Sequence, residues 1–148
     1  MLSGRAFFVA SVMCGAVLAA HAQMTPVGLW RTVDDNTGEA RAEIDIVERQ
    51  GVLFGRVAKS LDPDPKAVKT CDDCKDDRKG QAIVGMEIIR GVRYEPDDKR
   101  WGGGGKILDP ENGKEYTVRM VPLEGGKRLQ LRGYIGPFYR TQIWQRIP

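Results

Sequence analysis

The sequence predicts an all-β fold, in which an antiparallel meander of about eight strands closes into a small barrel. Apolar and polar residues alternate with a period of two along short segments, which is the pattern of half-buried strands. Clusters rich in Gly, Pro, Asp and Asn separate these segments, as in β-hairpins. No long segment shows the period of an amphipathic helix, so we expect strands joined by turns throughout.

The first three strands have the clearest patterns. Residues 27–33 form the first, and the polar cluster at residues 34–38 supplies the turn that ends it. Residues 40–46 alternate apolar side chains with arginine and acidic side chains, which predicts a second strand with one buried face. The Gln50-Gly51 pair then turns the chain into a third strand at residues 52–59.

Five more strands follow after a long interruption. They are expected at residues 83–94, 100–108, 115–120, 128–132 and 138–147. The interruption, residues 60–82, has no strand pattern, and an insertion of that length in a compact domain is usually a lid, a binding loop or a disordered segment. A barrel of about eight strands has an interior that side chains fill or that holds one small ligand.

Residues 1–22 have the pattern of a secretory signal peptide. Arg5 supplies the positive charge, residues 6–20 are almost wholly apolar, and Ala20-His21-Ala22 places small residues at the positions that a signal peptidase reads. The apolar run is short for a membrane span, which needs about 20 residues, and retention as an anchor is the alternative. We expect a single β-barrel domain at residues 23–148, periplasmic or secreted, with no membrane span after cleavage.

The charges and the histidine content argue against several functions. Lys and Arg total 23 and Asp and Glu total 20, with both signs interspersed, so we expect no large field that would attract nucleic acid or anionic lipid. The one histidine, His21, leaves with the leader. Without imidazole, the mature chain lacks the usual general base, the common nucleophile pairs and most transition-metal sites. We accordingly expect a protein that is not an enzyme and has no cofactor and no metal.

Cys71 and Cys74 are the two cysteines of the expected mature chain. In an exported protein such a pair indicates a disulfide, whose small loop stabilises the fold by only about 2 kcal/mol and shapes its surroundings locally. A redox centre is an alternative, but it needs an electropositive setting, and Asp72 and Asp73 lie between the cysteines. A zinc site is another, but it needs further ligands, and no histidine can supply them.

Two other features suggest ligands but have simpler explanations. The 60–82 segment is rich in aspartate, a ligand of Ca²⁺, yet nearby Lys and Arg residues balance the charge and the spacing differs from an EF-hand. Residues 101–106 resemble a phosphate-binding loop, yet Arg100 stands where a glycine is required and Ile107 where a Ser or Thr is required. Glycines within a strand more often mark a bend or a bulge.

Gly28-Leu29-Trp30, at the first strand, resembles the opening of calycin barrels, the class of lipocalins, avidins and fatty-acid-binding proteins. The resemblance implies that Trp30 closes one end of the barrel and packs against an arginine of the last strand. Arg140 and Arg146 are the available partners, and a cation–π contact with the indole would be modestly favourable.

A second resemblance covers nearly all of the expected mature chain, from Gly28 to Trp144. Its motifs, in chain order, are Cys71-x-x-Cys74, Ile83-Val84-Gly85-Met86 with Gly91, Trp101 to Lys106, Ile107-Leu108-Asp109-Pro110 with Asn112-Gly113-Lys114-x-Tyr116, Leu131 to Gly136, and Arg140-Thr141-Gln142-x-Trp144. These motifs are similar to those of the bacterial exported family called domain of unknown function 2147. The resemblance implies an envelope protein of lipocalin-like build and implies no particular activity.

We expect the barrel to bind a small apolar or amphipathic ligand, which an internal cavity of roughly 300 Å³ or more lined by aromatic residues would support. The candidate binding residues are Trp30, Trp101, Tyr116, Tyr134, Phe138, Arg140 and Trp144. One alternative is a protein-interaction or scaffold module of the cell envelope, which a large exposed apolar patch would favour. The other is a hydrolase that uses two carboxylates from among Glu43, Asp45, Glu87, Asp109 and Glu115.

Overall fold

The structure is a computed structural model that describes residues 24–148, so the expected signal peptide at residues 1–22 lies outside the described residues. Within this part of the chain nine strands form one sheet, and the helical content is one 3₁₀ turn, Glu124–Gly126. The strands are β1 Gly28–Val33, β2 Ala40–Arg49, β3 Val52–Ser60, β4 Glu87–Glu95, β5 Arg100–Gly102, β6 Lys106–Asp109, β7 Lys114–Leu123, β8 Arg128–Ile135 and β9 Phe138–Ile147. Residues 24–148 contain no helix long and apolar enough to span a bilayer.

All strand pairs are antiparallel, and the last strand returns to the first. β9 pairs with β1 at Trp30 and Arg146, and β3 pairs with β4 across the longest connection. The short strands β5 and β6 both lie between β4 and β7, so they share one position in the sheet. The sheet is a closed barrel with eight strand positions, which confirms the predicted all-β meander.

The glycine-rich segment divides one expected strand in two. The sequence predicts a single strand over residues 100–108, whereas the structure has β5, a tight turn and β6. Gly103 and Gly104 have φ angles of +59° and +79°, in the left-handed region that interrupts a strand. A Cβ on Gly105 would lie 2.7 Å from the Cα of Val92, so this position needs glycine for β4 to approach.

Side-chain alternation places one face of each strand inside the barrel. In β7, Val118 and Met120 are fully buried, whereas Thr117 and Arg119 are partly exposed. The same alternation supplies most of the remaining core: Ile44, Ile46, Leu53, Val57, Ile89, Val92, Leu129, Leu131 and Trp144. Full burial of an aliphatic side chain stabilises the fold by roughly 1.5–3 kcal/mol, so this interior is the main source of stability.

Trp30 and Arg146 close one end of the barrel. The indole of Trp30 is fully buried, and its N–H donates a hydrogen bond to the carbonyl oxygen of Pro26 at 2.7 Å. The guanidinium of Arg146 lies 4.2 Å from the ring centre and donates to the carbonyl oxygens of Thr25 and Val27, at 2.7 Å each. Burial lowers the pKa of Arg146, yet guanidinium groups stay charged in proteins. The expected contact between the first-strand tryptophan and a last-strand arginine is confirmed, with Arg146 as the partner.

The connection between β3 and β4 covers residues 61–86, where the sequence predicts an interruption at residues 60–82. Residues 83–86 are expected to begin the fourth strand, but β4 begins at Glu87, because Gly85 has a φ angle of +91° that breaks the extended conformation. This segment, called the 61–86 connection below, lies at the barrel end opposite Trp30. The β1–β2, β6–β7 and β8–β9 turns lie at the same end.

The 61–86 connection contains a short hairpin. The backbone N–H of Cys71 donates to the carbonyl oxygen of Gln81 at 2.9 Å, and the N–H of Ile83 donates to that of Lys69 at 2.8 Å. Within the hairpin, Cys71 and Cys74 form a disulfide, with Cα atoms 5.4 Å apart and both side chains buried. The expected disulfide is therefore confirmed.

Candidate functional site

A cavity of about 380 Å³ opens at the barrel end opposite Trp30. Its walls come from every strand except β5 and from the 61–86 connection. Pockets for small ligands have volumes of about 300–1,000 Å³. The cavity is therefore large enough for a small molecule and passes the size criterion that the binding hypothesis sets.

The deep part of the cavity is apolar. Its buried lining residues are Ile44, Val57, Ile88, Leu108, Val118, Leu131 and Trp144. The one polar atom of the Trp144 side chain has a partner, because the indole N–H donates to the side-chain oxygen of Gln142 at 3.2 Å. Transfer of an apolar group from water to such a surface gains about 25 cal/mol per Å² of area buried. The floor therefore favours hydrocarbon over polar groups.

Charged side chains surround the mouth. Arg41 of β2 lies 2.8 Å from the carboxylate of Asp62 in the 61–86 connection and 3.6 Å from that of Glu111 in the β6–β7 turn. Arg140 of β9 donates to the carboxylate of Asp35 in the β1–β2 turn at 2.8 Å. Each pair is at least partly solvated, so each contributes about 0–1 kcal/mol. The rim is therefore polar, and these ion pairs join the segments around the mouth only weakly.

Arg78 attaches the 61–86 connection to the barrel. Its side chain is 2% exposed and donates to the carboxylates of Asp76 at 2.6 Å and of Glu115 in β7 at 2.8 Å. It also donates to the carbonyl oxygen of Glu87 in β4 at 3.0 Å. Burial disfavours the charge, but hydrogen bonds to Asp76 and Glu115 raise the pKa of Arg78 above its ordinary value. One buried cation thus joins the connection to two strands.

The β6–β7 turn supports the same connection at a second point. Gly113 has a φ angle of +71°, and a Cβ at this position would collide with the backbone of Asp73 in the disulfide loop. Glycine satisfies both the turn and the close approach. Beyond these two attachments, Ala67, Val68 and Ile83 of the connection line the cavity directly. The 61–86 connection is therefore one wall of the site.

We expect the 61–86 connection to loosen in acid. Side-chain and backbone hydrogen bonds with Arg78 lower the pKa of Asp76 from 3.8 to about 2. Because the folded state favours the ionised carboxylate, its stabilising contribution is complete above pH 3.8 and is lost as the pH falls toward 2. Amide hydrogen exchange in residues 69–83 should accelerate across that interval, and Asp76→Asn should accelerate it at neutral pH. Two results would contradict this role of Asp76. One is amide protection in residues 69–83 that stays constant between pH 3.8 and 2. The other is an equal loss of protection at neutral pH in the control variant Asp73→Asn.

Three of the candidate binding residues line the cavity: Tyr116, Arg140 and Trp144. Trp30 closes the opposite end, and the ring centre of Trp101 lies 5.1 Å from that of Tyr94. Tyr134 packs on the neighbouring Tyr139, with ring centres 5.4 Å apart, and Phe138 is 77% exposed. These last four candidates are not among the residues that line the cavity.

Aliphatic residues form the largest group in the cavity wall, and none of them is among the candidate binding residues that the sequence predicts. Ile44 of β2 and Val57 of β3 are register partners, so their side chains share one face of the sheet. Both occupy the apolar positions of segments whose period-two alternation predicts strands. That alternation was the signal that could have identified them as wall residues.

The acids considered for catalysis do not meet at the cavity. Of that set, Asp109 lines it, and its carboxylate accepts hydrogen bonds from the backbone N–H of Glu111 at 3.0 Å and the side-chain amide of Asn112 at 2.9 Å. Glu87 and Glu115 are bound by arginines instead. Within residues 24–148, no cluster of three or more His, Cys, Asp and Glu residues is arranged to hold a metal ion.

The comparison with protein families matches residues 28–146, which contain nearly the whole barrel, to a family described as "uncharacterized protein conserved in bacteria (DUF2147)". The chain belongs to this family. Among solved structures it is similar to protein HP1028 from Helicobacter pylori, which is described as belonging to the lipocalin family. The TM-score is 0.69, with 16% identity over 84% of each chain, and this likeness establishes a lipocalin-like fold. No curated protein gives a significant match.

Proposed function

We propose that the protein binds a small apolar or amphipathic molecule inside the barrel. The observation that carries this proposal is the cavity of about 380 Å³, with an apolar floor and a charged rim. Because Trp30 and Arg146 close the other end, a ligand has one entrance and one orientation in which its polar group stays near water. The lipocalin-like fold supports the proposal, since a barrel of eight strands can hold one small ligand.

The lining assigns a role to each part of the site. Ile44, Val118 and Trp144 contact the apolar body of the ligand, and Arg41 and Gln142 are available to its polar group. Entry requires little rearrangement, because the ion pairs at the rim are solvated and contribute only about 0–1 kcal/mol each. The site therefore exchanges its ligand at the mouth while the closed end stays rigid.

We place this activity in the periplasm or outside the cell. The signal-peptide pattern of residues 1–22 supports export. The Cys71–Cys74 disulfide is compatible with an oxidising compartment. The binding proposal itself depends only on the cavity.

The binding proposal is tested by filling the cavity from one small wall residue. Ala42 of β2 lines the cavity, whereas Ala58 of β3 is exposed. Ala42→Phe should weaken binding of an apolar fluorescent probe at least about tenfold, equivalent to about 1.4 kcal/mol, because the new ring occupies the ligand's volume. Ala58→Phe adds the same ring outside the site and should leave the affinity unchanged. Organic extraction of the purified protein, followed by mass spectrometry, should also release a small molecule that Ala42→Phe lacks.

Equal probe affinity in the two variants would place the probe elsewhere and contradict the proposal. An empty extract together with no probe binding by the unmodified protein would contradict it as well. Thermal unfolding of both variants checks that each is folded under the conditions of the binding measurement.

A further inference from the structure

The outer surface of β6–β9 carries two adjacent rows of cross-strand neighbours. The first row consists of Lys106, Thr117, Tyr134 and Tyr139. The second row consists of Arg119, Arg132 and Thr141. Residues in register on neighbouring strands point to the same side of a sheet. In β7 the residues on either side of Arg119 are buried, which places Arg119, and with it both rows, on the outside.

The three cations of these rows, Lys106, Arg119 and Arg132, are called the basic face below. Within residues 24–148, none of the three forms an ion pair with a carboxylate. Arg119 and Arg132 are direct register partners, and like charges opposite each other on a sheet repel. The carboxylate of Glu95, which forms an ion pair with Arg100, also attracts Arg119 without forming an ion pair with it. The fold therefore places two positive charges opposite each other, with this carboxylate as an acidic neighbour of Arg119.

Tyrosine rings and threonine hydroxyls hold the basic face in place. The guanidinium of Arg119 lies 4.7 Å from the ring centre of Tyr134, and that of Arg132 lies 5.1 Å from the ring centre of Tyr139. Arg132 donates to the hydroxyl of Thr141 at 3.2 Å. Burial acts to raise the pKa of Tyr134, but hydrogen bonds from Arg132 and Arg119 outweigh it and lower the pKa. The cations are thus ordered on neutral partners and remain available to an external anion.

An exposed apolar tip adjoins the basic face. Ile135 and Phe138 are the register pair that follows Tyr134 and Tyr139 toward the β8–β9 turn. Alternation places this pair on the cavity side of the hairpin, at the mouth, whereas Tyr139 lies on the outer side with the basic face. They are 48% and 77% exposed, and Tyr139 is 59% exposed. Three of the seven large hydrophobic residues exposed in the described part of the chain are therefore on this one hairpin. The tip therefore exposes a group of apolar side chains to water, and such exposed apolar patches are typical of surfaces that bind a protein or a membrane.

We propose that the β8–β9 tip and the basic face form a docking surface for the anionic phospholipid surface of a membrane. Ile135 and Phe138 enter the boundary between headgroups and acyl chains, and the basic face contacts lipid phosphates. Apolar side chains flanked by cations are what such an interface binds, through buried apolar area and attraction to anionic lipid together. A soluble phosphate compound would use the cations alone and would leave Phe138 in water.

Docking in this orientation would bring the mouth of the cavity to the bilayer. Arg140 and Gln142 line the cavity and follow Phe138 directly along β9. An amphipathic molecule could then pass between the membrane and the barrel without crossing bulk water. The docking itself does not require an occupied cavity, so it can be tested separately from ligand binding.

Flotation of the protein with phosphatidylcholine vesicles, with and without phosphatidylglycerol, tests the proposal. We expect binding only when phosphatidylglycerol is present, and loss of binding in 1 M salt, where the Debye length falls to about 3 Å. Arg119→Gln with Arg132→Gln should lower the partition coefficient about 25-fold, since each cation near an anionic surface contributes about fivefold. Ile135→Ser with Phe138→Ser should lower it roughly tenfold.

Matched controls are available on the opposite side of the barrel. Arg56 and Lys59 are exposed on β3, which lies four strand positions from β8 in either direction around the barrel. Arg56→Gln with Lys59→Gln removes the same charge, and Val84→Ser removes an apolar residue that is 52% exposed. Both controls should bind vesicles as the unmodified protein does, and Ala42→Phe should also bind them normally whatever happens to ligand binding.

Several results would overturn the proposal. They are the absence of binding to phosphatidylglycerol vesicles, binding that the Arg56/Lys59 or Val84 controls weaken as much as the tip and basic-face variants do, and binding that survives high salt. Binding of inorganic phosphate to the unmodified protein without vesicle binding would assign the face to a soluble anion and also overturn it. Self-association through Phe138 in place of vesicle binding would assign the tip to a second copy, with the same consequence.

Discussion

Replacement of Trp30 by alanine should lower the free energy of unfolding by about 4 kcal/mol. The indole is fully buried, and its removal leaves a cavity that the surrounding strands can fill only in part. The same change deprives the carbonyl oxygen of Pro26 of its donor and removes the ring beneath Arg146. Because Arg146 also holds Thr25 and Val27, the N-terminal edge of β1 should lose hydrogen-exchange protection before the rest of the barrel.

Urea unfolding followed by far-ultraviolet circular dichroism measures this effect. Phe138→Ala is the control, because that ring is 77% exposed and its loss should change stability by no more than about 0.5 kcal/mol. A cost below about 1 kcal/mol for Trp30→Ala would show that the indole does not close a packed end of the barrel.

Replacement of Arg78 by methionine should cost about 2 kcal/mol and release the 61–86 connection. Loss of one partner from a buried ion pair usually costs about 3–5 kcal/mol, because the other charge stays buried. Here the side chains of Asp76 and Glu115 are 43% and 42% exposed, so water can solvate both carboxylates and the cost is smaller. The carbonyl oxygen of Glu87 loses its donor, and methionine keeps much of the apolar volume.

Limited proteolysis and urea unfolding together check this result. Arg78→Met should make residues 61–86 sensitive to protease while the barrel stays folded. Lys79→Met is the matched control, because Lys79 is the exposed neighbour and forms no ion pair in the described chain. If both variants resisted protease as the unmodified protein does, the disulfide loop would have to be held by its contact with Gly113 instead.

The strands could be predicted from the sequence because alternation is a local property. Each strand that alternates in the sequence, such as β2 and β7, is present in the structure with its apolar side chains buried. The contact of Trp30 with an arginine was predicted through a family resemblance, and the structure selects Arg146 because that residue is in register with Trp30. The disulfide followed from cysteine count and spacing, which also need no tertiary information.

The cavity could be predicted only as a possibility. An eight-stranded barrel either fills its interior or leaves room for a ligand, and the difference depends on how side chains from distant strands meet. Of the aromatic residues proposed as lining, Tyr116 and Trp144 reach the cavity, whereas Trp101 packs on Tyr94. All three are aromatic residues in expected strands. Their positions along the barrel axis decide which of them line the cavity and which does not.

By itself the sequence determined the strand order, the alternation of buried and exposed residues, and a nearly balanced total charge. Only the tertiary structure decided where individual charges lie. Lys106, Arg119 and Arg132 are far apart in the chain among acidic residues, yet antiparallel register aligns them on one outer face. The physical reason is that register depends on pairing across the whole barrel, whereas composition and periodicity describe one strand at a time.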